Sequence, residues 1–537
     1  MMHSVHTTAR PLYRAFDRLR MPFAILALLL VLNFPGNPAD LHVGYFIKLP
    51  VELLAIILLL VLSRGGYFRF VRTLVTIISA SVFLLKLADI ATYAAFSRQF
   101  NPLFDTKLLF DGWIILTGTL GKTEASMIVF VSSLGFVLLA MSVYWSLGAF
   151  QYTRARRPLA IASGIGLLIT PAIPAYRADN GLIQTRTAGL IVDRVTLVEK
   201  SLRDRNVFAA LLGSDVVADI PAGRRLNALK GKDVIVVFIE SYGESAIRNP
   251  RYSDLVDKRL ANIERQISAA GLVSRSSWLL SPTSGGLSWL AHGTLLSGVW
   301  VDSQQRYDQL IDSTRPSLNM LFREAGWRSI AVMPAITMDW PQSSYFGYDT
   351  VYAAGNLGYR GKPFNWVTMP DQYTLSAFQK FERAGPHKPV MAEIALISSH
   401  APWTPIPHLI DWAAIGDGSV FNEQAIAGDS PEVIWQDPER VRSQYAISID
   451  YALEILGSYM AEHGRNTVFI LLGDHQPASI ITGEGASRAV PVHIVSDDPA
   501  VLEKLDAEKW TPGMTPGNQQ ADPMDTFRES FVRSFSG

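Results

Sequence analysis

Residues 234–241, VIVVFIES, and residues 469–477, FILLGDHQP, decide the fold: each is a short run, apolar at every position, that ends abruptly on acidic or imidazole side chains. A strand with one wet face alternates apolar and polar residues, so an unbroken apolar run fits a strand covered by helices on both faces. Working outward, the pattern predicts strands at 233–239, 328–333, 390–397, 467–472 and 490–495, with helices near 254–269 and 440–461. Such alternation predicts an α/β domain over residues 228–537, built on a mostly parallel, doubly wound sheet.

In sheets of that kind, ligands bind beyond the carboxyl ends of the strands. Three of the expected strands end on residues able to do chemistry: Glu240-Ser241, Ser398-Ser399-His400 and Gly473-Asp474-His475. A hard cation needs carboxylates and an imidazole fixed from different strands, which Glu240, Asp474 and His475 match. Residues 281–298, SPTSGGLSWLAHGTLLSG, pass from Gly, Ser and Thr into an apolar helical pattern. Hydroxyls are thereby placed near a helix N-terminus, where backbone N–H groups favour an anion. Each feature alone has an ordinary reading, as a helix cap, a surface charge or a packing histidine. Their combination points to a site.

Apolar residues make up 49% of the 537-residue chain, and the long apolar runs all precede residue 176. Five stretches, about 17–35, 45–63, 73–96, 125–150 and 157–176, are read as membrane spans, for which roughly 20 helical residues are needed. The first is read as a retained anchor, since no small-residue cleavage site follows it. Basic residues collect in the N-terminal arm, in the loop with Arg64, Arg69 and Arg72, and in the loop with Arg154, Arg156 and Arg157, whereas 35–44 carries none. Basic loops resist translocation, so a cytoplasmic N-terminus and an external C-terminal domain are expected. Domain boundaries follow: 1–177 in the membrane, 178–227 a charged helical connector, and 228–537 the soluble domain.

The absence of cysteine excludes disulfides and thiolate ligands, and is compatible with a bacterial periplasm. Zero formal net charge without a long basic run gives no support for nucleic-acid binding. Within the third span, Lys86 and Asp89 share a helical face. Two readings stand for them: an intrahelical ion pair that snorkels to water, or a polar patch for a lipid headgroup continued by Arg98 to Asp105.

The ordered set of motifs resembles the alkaline phosphatase and sulfatase superfamily, and within it the membrane enzymes typified by lipoteichoic acid synthase and the periplasmic glucan phosphoglycerol transferases. VIVVFIES is similar to that family's first metal-ligand strand and FILLGDHQP to its late Asp-His pair. Counting back ten residues from Gly298, as the family's nucleophile spacing implies, lands on Ser288, with His292 in the basic position four residues on. Thr283 competes, because the membrane transferases generally place Thr there; Ser284 is a further rival. The resemblance implies a metal set of Glu240, Ser288, Asp474 and His475, and a His400 that binds substrate or protonates the leaving group. It implies one divalent cation, Mn²⁺ first, with Mg²⁺ or Zn²⁺ as alternatives. Residues 333–349, MPAITMDWPQSSYFGYD, resemble the segment that shapes the headgroup pocket; Trp340 is either its aromatic wall or a core residue. His408 and His493 are read as surface or packing residues.

What the resemblance implies is transfer of a phospholipid headgroup, phosphoglycerol from phosphatidylglycerol, through a covalent Ser or Thr intermediate to an envelope glycan or lipid. The location implied is the bacterial inner membrane, with the catalytic domain in the periplasm. The missing cysteine disfavours a formylglycine sulfatase and the disulfide-rich phosphoethanolamine transferases. A phosphoethanolamine transferase or a hydrolase of the same superfamily is one alternative. The other is a catalytically inactive membrane sensor or scaffold, against which the intact metal set speaks.

Overall fold

The computed structural model describes residues 9–96, 98–102, 105–170 and 183–537. The chain divides into two compact units, Met1–Asp204 and Arg205–Gly537. The division falls inside the stretch expected as a connector, within the helix Arg186–Leu212.

The first unit is helical: Ala9–Asn33, Val51–Leu62, Gly65–Phe96, Lys107–Leu120, Lys122–Leu147 and Arg156–Ile169. Two segments, Gly65–Ala94 and Lys122–Tyr152, are long and apolar enough to cross a membrane, and Leu19–Asn33 and Val51–Leu62 are shorter apolar helices. The two long segments match the expected third and fourth spans. The fifth was expected to run to 176, and residues 171–182 lie outside the described residues. Between the expected third and fourth spans lies the helix Lys107–Leu120.

Lys86 and Asp89 are both buried, which corrects the reading of a pair that snorkels to water. Lys86 Nζ donates to the carbonyls of Leu32 at 2.8 Å and Val31 at 3.3 Å. Asp89 accepts from both sides: from Arg194 Nη2 at 2.5 Å and from the Phe100 backbone N–H at 3.0 Å. Buried charges persist only when partners replace water, and here other segments of the unit supply them.

The second unit holds a nine-stranded sheet. Its strands and principal helices include, in chain order, β1 (Asp233–Ile239), α1 (Ser253–Ala269), β2 (Val273–Leu280), α2 (Ser288–Ser297), α3 (Leu318–Glu324), β3 (Arg328–Met333), β4 (Thr350–Ala353), β5 (Val390–Leu396), α4 (Pro438–His463), β6 (Thr467–Gly473), β7 (Ala489–Ser496), β8 (Thr511–Pro512), β9 (Asp522–Pro523) and α5 (Thr526–Phe535). The spatial order is β8-β2-β7-β6-β1-β5-β3-β4, with β9 beside β2. Pairings from β6 through β1, β5 and β3 to β4 are parallel. Strand β7 runs antiparallel to both β6 and β2, so one side of the sheet departs from the parallel arrangement.

Strand β1 explains why both faces are covered. Ile235, Val237 and Ile239 point into one core with Val256, Leu260 and Ile263 of α1 and Tyr445 and Ile449 of α4. Val234, Val236 and Phe238 point into the other with Leu290 of α2, Leu321 of α3 and Phe531 of α5. Successive side chains of a strand face opposite ways, so a strand between two helical layers must be apolar at every position. Each such side chain contributes about 1.5–3 kcal/mol by leaving water. Phe208, Val217 and Leu226, from the stretch expected as a connector, join this second core.

Strand β2, VSRSSWLL, went unrecognised because its polar residues hide the strand pattern. Those hydroxyls are satisfied within the fold: Ser276 Oγ pairs with His493 Nδ1 at 2.7 Å and Ser277 Oγ donates to the Lys509 carbonyl at 2.7 Å.

Candidate functional site

Parallel register builds the site. Ile239 of β1 lies opposite Gly473 of β6 and Leu396 of β5. Glu240, Asp474 and the segment leading to His400 therefore leave the sheet at one level, and Glu240, Asp474 and His475 offer ligand atoms all within 4.8 Å of one another. All three are buried.

The backbone around them is held in place. Ser241 sits in the left-handed region, at φ 58°, which costs a non-glycine residue energy unless its surroundings impose it. Those surroundings are a set of hydrogen bonds. The Ser241 N–H donates to Asp474 Oδ1 at 2.8 Å, its hydroxyl donates to Glu240 Oε1 at 2.8 Å, and its carbonyl accepts from Tyr445 Oη at 3.0 Å. The Glu240 carbonyl accepts from Ser399 Oγ at 2.6 Å, and the Asp474 carbonyl from Ser281 Oγ at 2.6 Å.

His475 shows which of its atoms is free for a ligand. Its Nδ1 lies 2.8 Å from the carbonyl of Gln476, which can only accept, so Nδ1 carries the proton. The Nε2 lone pair then faces the two carboxylates, at 3.5 Å from Glu240 Oε1 and 3.6 Å from Asp474 Oδ2. A metal-binding histidine is commonly oriented in this way by a bond to its second nitrogen.

Electrostatics agree with a cation site. Burial raises the Glu240 carboxyl, but the neighbouring charges of His475 and His400 and the Ser241 hydroxyl outweigh it and bring it down to about 2. Burial, reinforced by the Glu240 charge, pushes Asp474 up to about 6. Burial lowers His475, yet the two carboxylates more than compensate and raise it. One carboxylate thus resists ionisation beside the other, as happens when two buried acids lack a full counter-charge. The donor set, two carboxylates, an imidazole and a hydroxyl, suits a divalent ion.

That hydroxyl is Ser288. Its Oγ lies 3.3 Å from Glu240 Oε2 and 3.2 Å from His475 Nε2. The preceding loop brings it there: Gly285 N–H donates to the Gln476 carbonyl at 2.8 Å, and Gly286, at φ 147°, makes a turn that an L side chain rarely adopts. Ser288 then begins α2. Thr283 is placed differently, its Oγ1 donating to the Gly286 carbonyl at 2.7 Å within the same loop. Ser284 is bridged to Gln476 through its backbone.

His292 follows one turn after Ser288 on α2 and stacks on Phe238, with ring centroids 3.7 Å apart. His400 is exposed, and its Nδ1 bonds the Ala401 carbonyl at 2.5 Å. Trp340 is half-buried, 6.0 Å from the rings of both Phe346 and Tyr348. His408 is exposed, whereas His493 is fully buried in β7. The sequence reading did not single out Glu393, although a lone acid inside the apolar strand VMAEIAL was a visible signal. It is buried and accepts from His292 Nδ1 at 2.6 Å.

A family model described as Sulfatase matches residues 232–490. Among solved structures, the chain is similar to the lipoteichoic acid synthase LtaP of Listeria monocytogenes, at 13% identity and TM-score 0.35, covering 55% of this chain and 71% of that one. It is similar to the phosphoglycerol transferase GacH of Streptococcus pyogenes in complex with sn-glycerol-1-phosphate, at 12% identity and TM-score 0.38, covering 63% and 81%. It is also similar to the C-terminal periplasmic domain of the phosphoethanolamine transferase EptC of Campylobacter jejuni, at 11% identity and TM-score 0.37, covering 57% and 89%. No curated protein matches the chain.

Proposed function

We propose, on the premise of the Sulfatase family match over residues 232–490, that the chain transfers the phosphoglycerol headgroup of phosphatidylglycerol, through a covalent Ser288 phosphodiester, to an envelope glycan or lipid. The observation that supports this reading is the Ser288 hydroxyl standing 3.3 Å and 3.2 Å from atoms of the carboxylate and imidazole cluster. A serine hydroxyl is a weak nucleophile until a neighbouring group activates it. A divalent cation held by Glu240, Asp474, His475 and Ser288, Mn²⁺ ahead of Mg²⁺ or Zn²⁺, would supply Lewis acidity to the hydroxyl and to the phosphoryl oxygens.

The residues of the chain do the rest. Ser288 Oγ bonds to phosphorus and releases its proton to solvent, while the bond from phosphorus to the glyceride oxygen breaks. His400 protonates that oxygen, and diacylglycerol departs. In the second half the acceptor hydroxyl gives its proton to His400 and attacks phosphorus, the bond to Ser288 breaks, and Ser288 Oγ takes back a proton from solvent. The N-terminus of α2 at Ser288 places backbone N–H groups toward the developing negative charge. We place the domain in the periplasm of a bacterium, on a multi-pass anchor of five spans, with no nucleic-acid partner.

Two features favour this reading over its rivals. The intact cluster of Glu240, Asp474 and His475 opposes a non-catalytic sensor. The chain has no cysteine, unlike the disulfide-rich phosphoethanolamine branch. Mass spectrometry of lipids and glycans from cells with and without the gene tests donor and acceptor together. Glycerol phosphate on a glycan or lipid, lost with the gene and not restored by Ser288→Ala, is expected. Unchanged glycans with altered phosphatidylethanolamine turnover would transfer the assignment to the other headgroup, and diacylglycerol release without any modified acceptor would make water the acceptor.

A further inference from the structure

A carboxylate in the middle of a central apolar strand is costly to bury, and Glu393 sits between β1 and β3, opposite Val236 and Ala331, only 1% exposed. Three donors converge on it. Oε1 accepts from His292 Nδ1 at 2.6 Å, and Oε2 accepts from Tyr348 Oη and from Asn319 Nδ2 at 3.3 Å. Since a carboxylate can only accept from the ring, His292 is held with its proton on Nδ1, and the stack on Phe238 fixes the ring plane. The nitrogen left over is Nε2. His292 shares a face of α2 with Ser288, being four residues later.

We propose that Glu393 is a positioning residue that sets the tautomer and orientation of His292, so that Nε2 is presented to the phosphoryl group carried at Ser288. This rests on the reading of Ser288 as the nucleophile. Tyr348 and Asn319 hold the carboxylate in turn, and Trp340 packs on Tyr348, so the segment read as the headgroup wall and the histidine beside the nucleophile share one buried acid. Strand β5 supplies rigidity, because the backbone of Glu393 is paired on both sides.

The test uses the full chain in detergent micelles with labelled phosphatidylglycerol as the probe. Glu393→Gln keeps the shape and removes the charge; kcat is expected to fall about 10- to 100-fold with KM little changed, as for other outer-shell partners of a functional histidine. Residues acting through one another are non-additive, so Glu393→Gln combined with His292→Ala should be no slower than His292→Ala alone. Tyr348→Phe, which leaves the carboxylate in place, should give a smaller loss and covers the case in which Glu393→Gln fails to fold. Losses that multiply in the double variant, or wild-type kcat in a folded Glu393→Gln or Tyr348→Phe, would overturn the proposal. A second readout separates it from the transferase reading: the ring nitrogens of ¹⁵N-labelled His292 should show an Nδ1-protonated signature that Glu393→Gln changes, and an unchanged signature counts against Glu393. Wild-type turnover in Ser288→Ala sinks the nucleophile instead.

Discussion

At the scale of single residues, the cluster is a competition between protons and a cation for the same lone pairs. Asp474 stands at about 6, raised by burial and by Glu240 from an ordinary carboxylate value of 3.8. The raised value means that the fold disfavours the ionised form, so without a cation this group makes the protein less stable as pH climbs from about 4 towards 6. Binding of a cation needs the ionised carboxylate and the unprotonated His475 Nε2, and His475 is itself raised above the ordinary 6.5, so metal affinity should begin to fall on acidification above pH 6.5 and fall further through about 6, where Asp474 takes up its proton. Calorimetric titration with Mn²⁺ from pH 5 to 8 checks the sign; an affinity that rises on acidification contradicts it. Glu240, Asp474 and His475 were legible in the sequence because each closes an apolar run, where a charged residue stands out. Glu393 was not, because what it does depends on His292, Tyr348 and Asn319, which lie far from it in sequence and reach it only through the fold.

At the scale of elements, the ends of β1 and β6 carry the site, and their close approach depends on a missing side chain. A Cβ on Gly473 would lie 1.8 Å from the Tyr242 carbonyl oxygen, a backbone atom that cannot move aside without displacing the Glu240-Ser241 turn. Gly473→Ala should therefore cost on the order of 3–5 kcal/mol, at the severe end for single substitutions, and loosen the cation site with it. Chemical denaturation and metal content of the purified variant measure both effects; wild-type values for each would show that the strand ends have more room than this geometry allows. The parallel centre of the sheet was legible from the all-apolar strands β1, β5 and β6. Strand β2 was not, because Ser274, Ser276 and Ser277 look like loop residues until their partners Glu264, His493 and Lys509 are brought alongside. The antiparallel direction of β7 was hidden too, since it shows only in the pairing with β2 and β6.

At the scale of the whole molecule, a helical unit that holds, among the described residues, two helices long and apolar enough to cross a membrane precedes in the chain a unit whose residues 232–490 match a family model described as Sulfatase. Linking an enzyme to the bilayer that holds its substrate replaces a bimolecular search by a local one, which suits a phospholipid donor. The apolar helices were legible from composition. Their partners were not: the buried Asp89 is met by Arg194, whose distance of 105 residues in sequence gives no local signal. The claim that depends on all three scales is cation-dependent headgroup transfer by Ser288. The most direct measurement is diacylglycerol release from labelled phosphatidylglycerol by the purified full chain, with Mn²⁺, with a chelator, and in Ser288→Ala. The account predicts release by the wild-type protein with Mn²⁺ and none in the other two conditions. Release by Ser288→Ala at the wild-type rate, or release undiminished by the chelator, would contradict it.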